Sequence, residues 1–207
     1  MSRATFYTQA MPDTDKLGTD ELARVLMSEE RRGWQNPEKV VRAIGVTRGM
    51  VVADLGCGPG FFTIPLASAV GRSGLVYGVD SNAGMLSYLR DNLEKIGKTP
   101  IGLVKLIEAD VAQTDIPSGT VDVAFFANIL HDLTEPSKFL REVRRMIKKD
   151  SIIVDIDWEK KESGFGPPLE IRLSAAQSKE ILRGGGFKVV GSVYAGRFHY
   201  GLVCRSI

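Results

Sequence analysis

Five runs rich in β-branched and aromatic residues recur along the chain, at Met50–Leu55, Leu75–Asp80, Val104–Glu108, Val121–Ala127 and Ser151–Asp157. Helical stretches lie between them, roughly at Phe62–Val70, Met85–Ile96 and Pro136–Lys148. Strands that alternate with helices require right-handed crossovers, and so a parallel sheet with helices on both faces. The runs carry little polar alternation, as burial on two sides demands. The end of the chain breaks this rhythm. A last helix in SAAQSKEILRGGGF is followed by Lys188–Tyr194 and His199–Cys204, joined only by AGRF. So short a link holds no crossover helix, and the pair reads as an antiparallel hairpin.

Ahead of the first strand, Leu22, Val25 and Leu26 share one helical face, with Asp20 and Glu21 in the first turn. A helix from Thr19 to about Arg31 is expected. Asn36 followed by Pro37 starts a second, which Gly45 ends. Residues 1–18 read as polar and irregular.

With 207 residues, the chain suits one domain with a full core and a small extension. A formal net charge of +2 is too mild for a phosphate-tracking surface. The most basic run, REVRRMIKK, carries Leu140, Val143 and Ile147 at helical spacing and reads as a solvated helix face. Two cysteines and two histidines build neither a disulfide framework nor a Cys/His metal site, so no metal is expected. MSRATFYTQAMPDTDK has no apolar core of a signal peptide, and no stretch is long enough to span a bilayer. A cytoplasmic location is expected.

The first strand runs into VVADLGCGPGFF, where Gly56, Gly58 and Gly60 fall at alternate positions. Ligands of such sheets bind beyond the carboxyl ends of the strands, and this loop leads into a helix start with unpaired N–H groups. The dinucleotide fingerprint G-x-G-x-x-G wants its last glycine where Phe61 stands, and no G-K-[ST] follows for a triphosphate. Asp80 ends the second strand, where a carboxylate accepts from ribose hydroxyls. Asp54, Asp80 and Asp110 then crowd one sheet edge with no Lys or Arg in the loop. Three carboxylates repel a diphosphate and suit a ligand with a ribose, an adenine and positive charge. S-adenosylmethionine has all of these.

These segments resemble the class I S-adenosylmethionine-dependent methyltransferases, in the type 11 or UbiE-like small-molecule branch. VVADLGCGPGFFTIPLA is similar to the first motif, VYGVDSNAGML to the second, EADVAQTDIP to the third and VDVAFFANILHDL to the fourth. FLREVRRMIKKDSIIVDIDW resembles the fifth strand and the helix before it, so the likeness spans about residues 34–205. It implies a Rossmann-like, seven-stranded, mostly parallel sheet with the last strand inserted antiparallel. Residues 37–207 would form the methyltransferase domain, and residues 1–36 a helical extension or lid. It further implies S-adenosylmethionine as cofactor and S-adenosylhomocysteine as product. Asp54, Gly56, Cys57, Gly58 and Gly60 would hold the methionine moiety, Asp80 with Ser81 the ribose, and Met85 the adenine face. Asp110 and the Val111 N–H would meet the adenine edge, and the Asn128 backbone would close the pocket near the ammonium.

Methyl transfer mainly needs donor and nucleophile aligned with water excluded. A base is needed only where the nucleophile must lose a proton, and His131, just past Asn128, is the candidate. DIDWE places Asp155, Asp157 and Trp158 by the acceptor pocket, whose walls are expected from residues 19–44 and the loop KKESGFGPPLEIR. Trp34, Phe165 and Phe198 would supply aromatic surface. The N-P-P-[YF] tetrad of nucleic-acid amine methyltransferases is replaced by A-N-I-L, and two cysteines are too few for arsenic. Asp132 alone is thin support for a magnesium site. A small-molecule acceptor is therefore expected, with no membrane or nucleic-acid partner and a homodimer left open. A protein or RNA methyltransferase and a non-catalytic nucleoside-binding domain are the alternatives.

Overall fold

The computed structural model describes residues 17–97 and 103–207. Most of the irregular N-terminal stretch lies outside the described residues.

Helix α1 spans Thr19–Leu26, α2 Glu29–Trp34 and α3 Pro37–Ile44. The single helix expected to Arg31 is two, because Ser28 adopts an extended conformation and its side chain caps the Arg31 N–H at 3.2 Å. Asn36 caps Lys39 and Gly45 ends α3 in the left-handed region at φ 78°, as its sequence requires. Then follow β1 (Val51–Leu55), α4 (Thr63–Val70), β2 (Leu75–Asp80), α5 (Ala83–Ile96), β3 (Val104–Glu108) and β4 (Val121–Ala127). Helix α5 starts two residues ahead of expectation, since Asn82 Oδ1 accepts from the N–H groups of Gly84 and Met85.

Past β4 come a 3-10 turn (Leu130–Asp132), α6 (Pro136–Met146), β5 (Ile147–Trp158), α7 (Ala175–Gly184), β6 (Phe187–Ser192) and β7 (His199–Ser206). The basic run is therefore not one helix face: α6 stops at Met146, and Ile147 pairs with Val121 as the start of β5.

Among the described residues seven strands form one sheet, in the order β3-β2-β1-β4-β5-β7-β6. β3, β2, β1, β4 and β5 run parallel, and β7 lies antiparallel between β5 and β6. One face buries Phe126, Ile153 and Leu202 against Phe139, Leu140 and Val143 of α6 and Leu182 of α7. The other buries Val52, Val76, Phe125 and Val154 against Val41 of α3 and Phe62, Leu66 and Val70 around α4. Register levels the carboxyl ends: Leu55 pairs with Val79 and Phe126, and Ala127 with Ile156. Every loop that leaves those ends opens on the same side, which is where the parallel architecture puts a ligand.

The N-terminal helices are tied to the far end of the sheet. Gln35 donates to the Ala195 carbonyl at 3.0 Å, and the Arg197 N–H donates to the Trp34 carbonyl at 2.8 Å. Gly196, at φ 112°, allows this approach: a Cβ there would stand 2.9 Å from the Trp34 oxygen.

Candidate functional site

The glycine loop folds back onto β2. The N–H groups of Gly56 and Cys57 both donate to the Val79 carbonyl, and the Gly58 N–H donates to Asp80 Oδ2 at 2.8 Å. Gly56 has φ 75°, and a Cβ there would meet Ile129 Cδ1 at 2.1 Å, so no side chain fits. Gly60 answers to packing, since its Cβ would lie 2.3 Å from Leu89 Cδ1. Asp80 Oδ1 accepts from the Asn82 N–H at 2.9 Å, and the carboxylate keeps lone pairs for a ligand.

Beside this loop opens a cavity of about 330 Å³. Asp54, Gly56, Cys57, Gly58, Asp80, Met85, Asn128 and His131 all line it. Asp54 is buried and accepts from the Thr63 hydroxyl at 2.6 Å. Burial raises its pKa to about 7; the Thr63 hydrogen bond and Arg31 oppose the rise, and Asp80 adds to it. Asn128 has φ 61°, the left-handed region that asparagine tolerates better than most residues. Its N–H donates to the Ile156 carbonyl at 2.8 Å, while its buried Oδ1 has no partner among the described residues. An orphaned acceptor facing a cavity invites a donor from a ligand.

Arg31 reaches the same cavity from α2. Its guanidinium carbon lies 3.9 Å from the Phe61 ring centroid, and it donates to Gln35 Oε1 and the Leu26 carbonyl, both neutral acceptors. Burial lowers its pKa to about 9, partly offset by the charge of Asp54. A buried cation that among the described residues bonds to neutral groups is left to find an anion.

At the other end of the cavity stand His131, Trp34, Trp158, Gly166 and Pro167. His131 Nδ1 lies 2.7 Å from Asp157 Oδ1, whose partner oxygen accepts from the His131 N–H at 3.2 Å. Asp157 is fully buried and is also fixed by the Trp158 N–H at 2.8 Å. A carboxylate on Nδ1 holds the proton there and turns Nε2 toward the exposed Asp132, 3.2 Å away. Burial works against the charged imidazolium, but the hydrogen bond and charge of Asp157, with Asp132, outweigh it and raise the pKa of His131.

The remaining expected residues fall elsewhere. Ser81 is exposed, and Asp110 is exposed with its carboxylate turned onto the Ala112 N–H at 2.8 Å. Val111 packs on the core. None of these, nor Gly60, lines the cavity. Asp155 lies fully buried within the sheet and does not line the cavity, and burial pushes its pKa well up. Trp34, Trp158, Phe165, Phe198 and His199 form one aromatic cluster, with Trp34 stacked on His199 at 5.4 Å. Sequence reasoning missed Arg31, because one arginine in EERRGW looks like any solvated helix charge. Phe61 was read only as an argument against a dinucleotide and Phe62 only as a helix start, yet both line the cavity.

A glycine loop, an acidic second strand end and a seven-stranded sheet with an inserted antiparallel strand define a nucleoside-binding methyltransferase fold. Residues 53–154 match the type 11 methyltransferase domain family. The chain is 31% identical to a SAM-dependent methyltransferase of Aquifex aeolicus, with a TM-score of 0.84 over 93% of this chain and 100% of that one. It is 34% identical over 116 residues to the ubiquinone/menaquinone biosynthesis C-methyltransferase of Citrobacter koseri, covering 56% of this chain and 45% of the relative. A demethylmenaquinone methyltransferase of Staphylococcus aureus is 26% identical over 138 residues, 67% of this chain and 54% of the relative. The chain spans about half the length of the curated relatives it matches.

The chain belongs to the class I S-adenosylmethionine-dependent methyltransferases of type 11, and the cofactor of that family is S-adenosylmethionine. The residues present fit that group. Asp54 and Arg31 offer opposite charges for a zwitterion, Asn128 Oδ1 an unfilled acceptor, and Gly56 a wall without side chains. Among the described residues no helix is long and apolar enough to cross a membrane.

Proposed function

We propose that the protein methylates a small-molecule acceptor whose nucleophile carries an exchangeable proton, with His131 as general base. The observation that carries this reading is the His131–Asp157 pair at 2.7 Å, on a cavity shared with the glycine loop. When bound, S-adenosylmethionine would supply a methyl carbon already activated by its sulfonium.

Asp54 and Asn128 would face the ammonium, Arg31 the carboxylate, and the Gly56–Gly58 backbone the methionine chain. Asp80 would take the ribose hydroxyls and Met85 one face of the adenine. Asp110, Val111 and Ser81 would act at the rim, outside the cavity lining. His131 Nε2 would take the acceptor's proton as the carbon–nucleophile bond forms, and Asp157 would hold the imidazole in the tautomer that accepts it. Helices α1 and α2, as the covering segment, would exclude water with Trp34 and Trp158.

Relatives named for menaquinone and ubiquinone biosynthesis support a small-molecule acceptor. Incubation with methyl-labelled donor and a cell extract, split into metabolite, protein and RNA fractions, tests the reading. Label should enter the metabolites. Label confined to protein or RNA would refute it, and donor binding with no transfer would favour a non-catalytic nucleoside-binding role.

A further inference from the structure

We propose that Arg172 is a positioning residue that fastens the connection between β5 and α7 over the acceptor end of the cavity. Its single buried guanidinium gathers that connection's carbonyl oxygens. The inference rests on the reading that this end receives the acceptor.

Arg172 donates through Nε to the Pro167 carbonyl at 2.8 Å, through Nη1 to Lys161 at 2.8 Å and through Nη2 to Phe165 at 2.7 Å. These acceptors span seven positions of a segment that has neither helix nor strand of its own. A surface connection normally satisfies its carbonyls with water. Here they turn inward onto one side chain that is only 4% exposed. Burying a cation with no directly bonded carboxylate among the described residues is costly, and these three short carbonyl bonds, with a longer one to Glu159 at 3.5 Å, offset that cost only while the segment keeps its shape. The fork of five N–H groups is what lets one side chain reach all three, and an ammonium cannot reproduce it.

The clasp has a direct consequence for the cavity. The guanidinium carbon stands 5.0 Å from the Trp158 ring centroid, and Gly166 lies against the same ring. A Cβ on Gly166 would meet the indole carbons at 2.9 to 3.0 Å, and its φ of 87° excludes most side chains. Trp158, Gly166 and Pro167 thus become cavity wall in a fixed arrangement, beside the base His131. Arg172 itself is not among the residues that line the cavity, so it acts through these neighbours and not on the reacting atoms.

The chain has two tryptophans, and W34F leaves Trp158 as sole reporter. In that background R172M should raise acrylamide quenching of Trp158 about threefold and speed tryptic cleavage after Lys160 and Lys161 about tenfold, because the strap opens without global unfolding. Affinity for S-adenosylhomocysteine by calorimetry should stay within about twofold. R172K should behave like R172M. G166A, which pushes the strap off the indole with Arg172 intact, should give the same quenching and cleavage, and it carries the test if R172M does not fold. Unchanged quenching and cleavage in a folded R172M, or full protection in R172K, would overturn the clasp. Failure of the parent protein to bind S-adenosylhomocysteine would instead overturn the donor-site reading, with the clasp still judged by Trp158.

Discussion

The Nδ1 of His131 and the Oδ1 of Asp157 stand 2.7 Å apart, with the two side chains 4% and 1% exposed. A base so placed is charged at neutral pH more readily than a free histidine, because its pKa is raised. The groups that set this are Asp157 and Asp132, which favour the imidazolium, and Arg172, which opposes it along with burial. The proton-accepting form therefore appears only above the raised value. Methyl transfer should fall as pH drops through that value, and initial rates across pH 5 to 9 (about the range where histidines titrate) would show the limb. Asp157→Asn removes the main support of the charge, so the limb should move to lower pH while the maximal rate falls. His131→Ala should lower kcat by about 100-fold to 10,000-fold with S-adenosylhomocysteine binding retained.

Asp54 supplies a second pH signature, in binding. Its pKa of about 7 means that a ligand ammonium meets a carboxyl part-way through its titration. Affinity for S-adenosylhomocysteine should rise with pH through about 7, and calorimetry in two buffers of different ionisation enthalpy should detect proton release. The sign for the free protein is opposite. A carboxyl raised in the folded state contributes stability fully present below its unfolded value, and that contribution is lost as pH rises through about 7.

Arg31→Met should weaken S-adenosylmethionine binding about tenfold or more, as expected where a buried charge loses its ligand partner. Decarboxylated S-adenosylmethionine lacks the anion assigned to Arg31, so it should bind the variant and the parent alike. Equal losses for both ligands would remove Arg31 from the carboxylate site.

Gly56→Ala should cost about 1 to 3 kcal/mol by thermal unfolding, since the backbone is left-handed and Ile129 fills the space a Cβ needs. Asp80→Ala should weaken S-adenosylhomocysteine binding by about 1 to 3 kcal/mol through lost charged hydrogen bonds. Unchanged affinity in the latter variant would place the ribose elsewhere.

The sheet and its inserted strand were legible because their signals are local. Val- and Ile-rich runs, crossover lengths and the four-residue AGRF link each carry their own constraint. Helix starts were legible where a cap is written into the chain, as at Asn36, and misjudged where Ser28 looked like one more residue of a helix. That Gly56, Gly58 and Asp80 come together on one cavity was legible for the same reason, since they sit in one short motif and its neighbour. The wall around His131 was less so. His131 follows β4, Asp157 comes from β5 and Pro167 from a connection, and only the fold brings these distant segments together. Asp157 was visible as an acid by the pocket, but its bond to a histidine 26 positions away is a fact of sheet geometry. Gly60 is a motif glycine whose close neighbour is Leu89, a packing demand the motif alone did not show.

The central claim is that this cavity is built for a sulfonium nucleoside and not for a dinucleotide. Calorimetric titration with S-adenosylhomocysteine and, separately, with NAD tests it most directly. Saturable one-to-one binding of S-adenosylhomocysteine, weakened in the Asp80→Ala variant and absent with NAD, is the predicted result. Binding of NAD, or no binding of S-adenosylhomocysteine by folded protein, would contradict it.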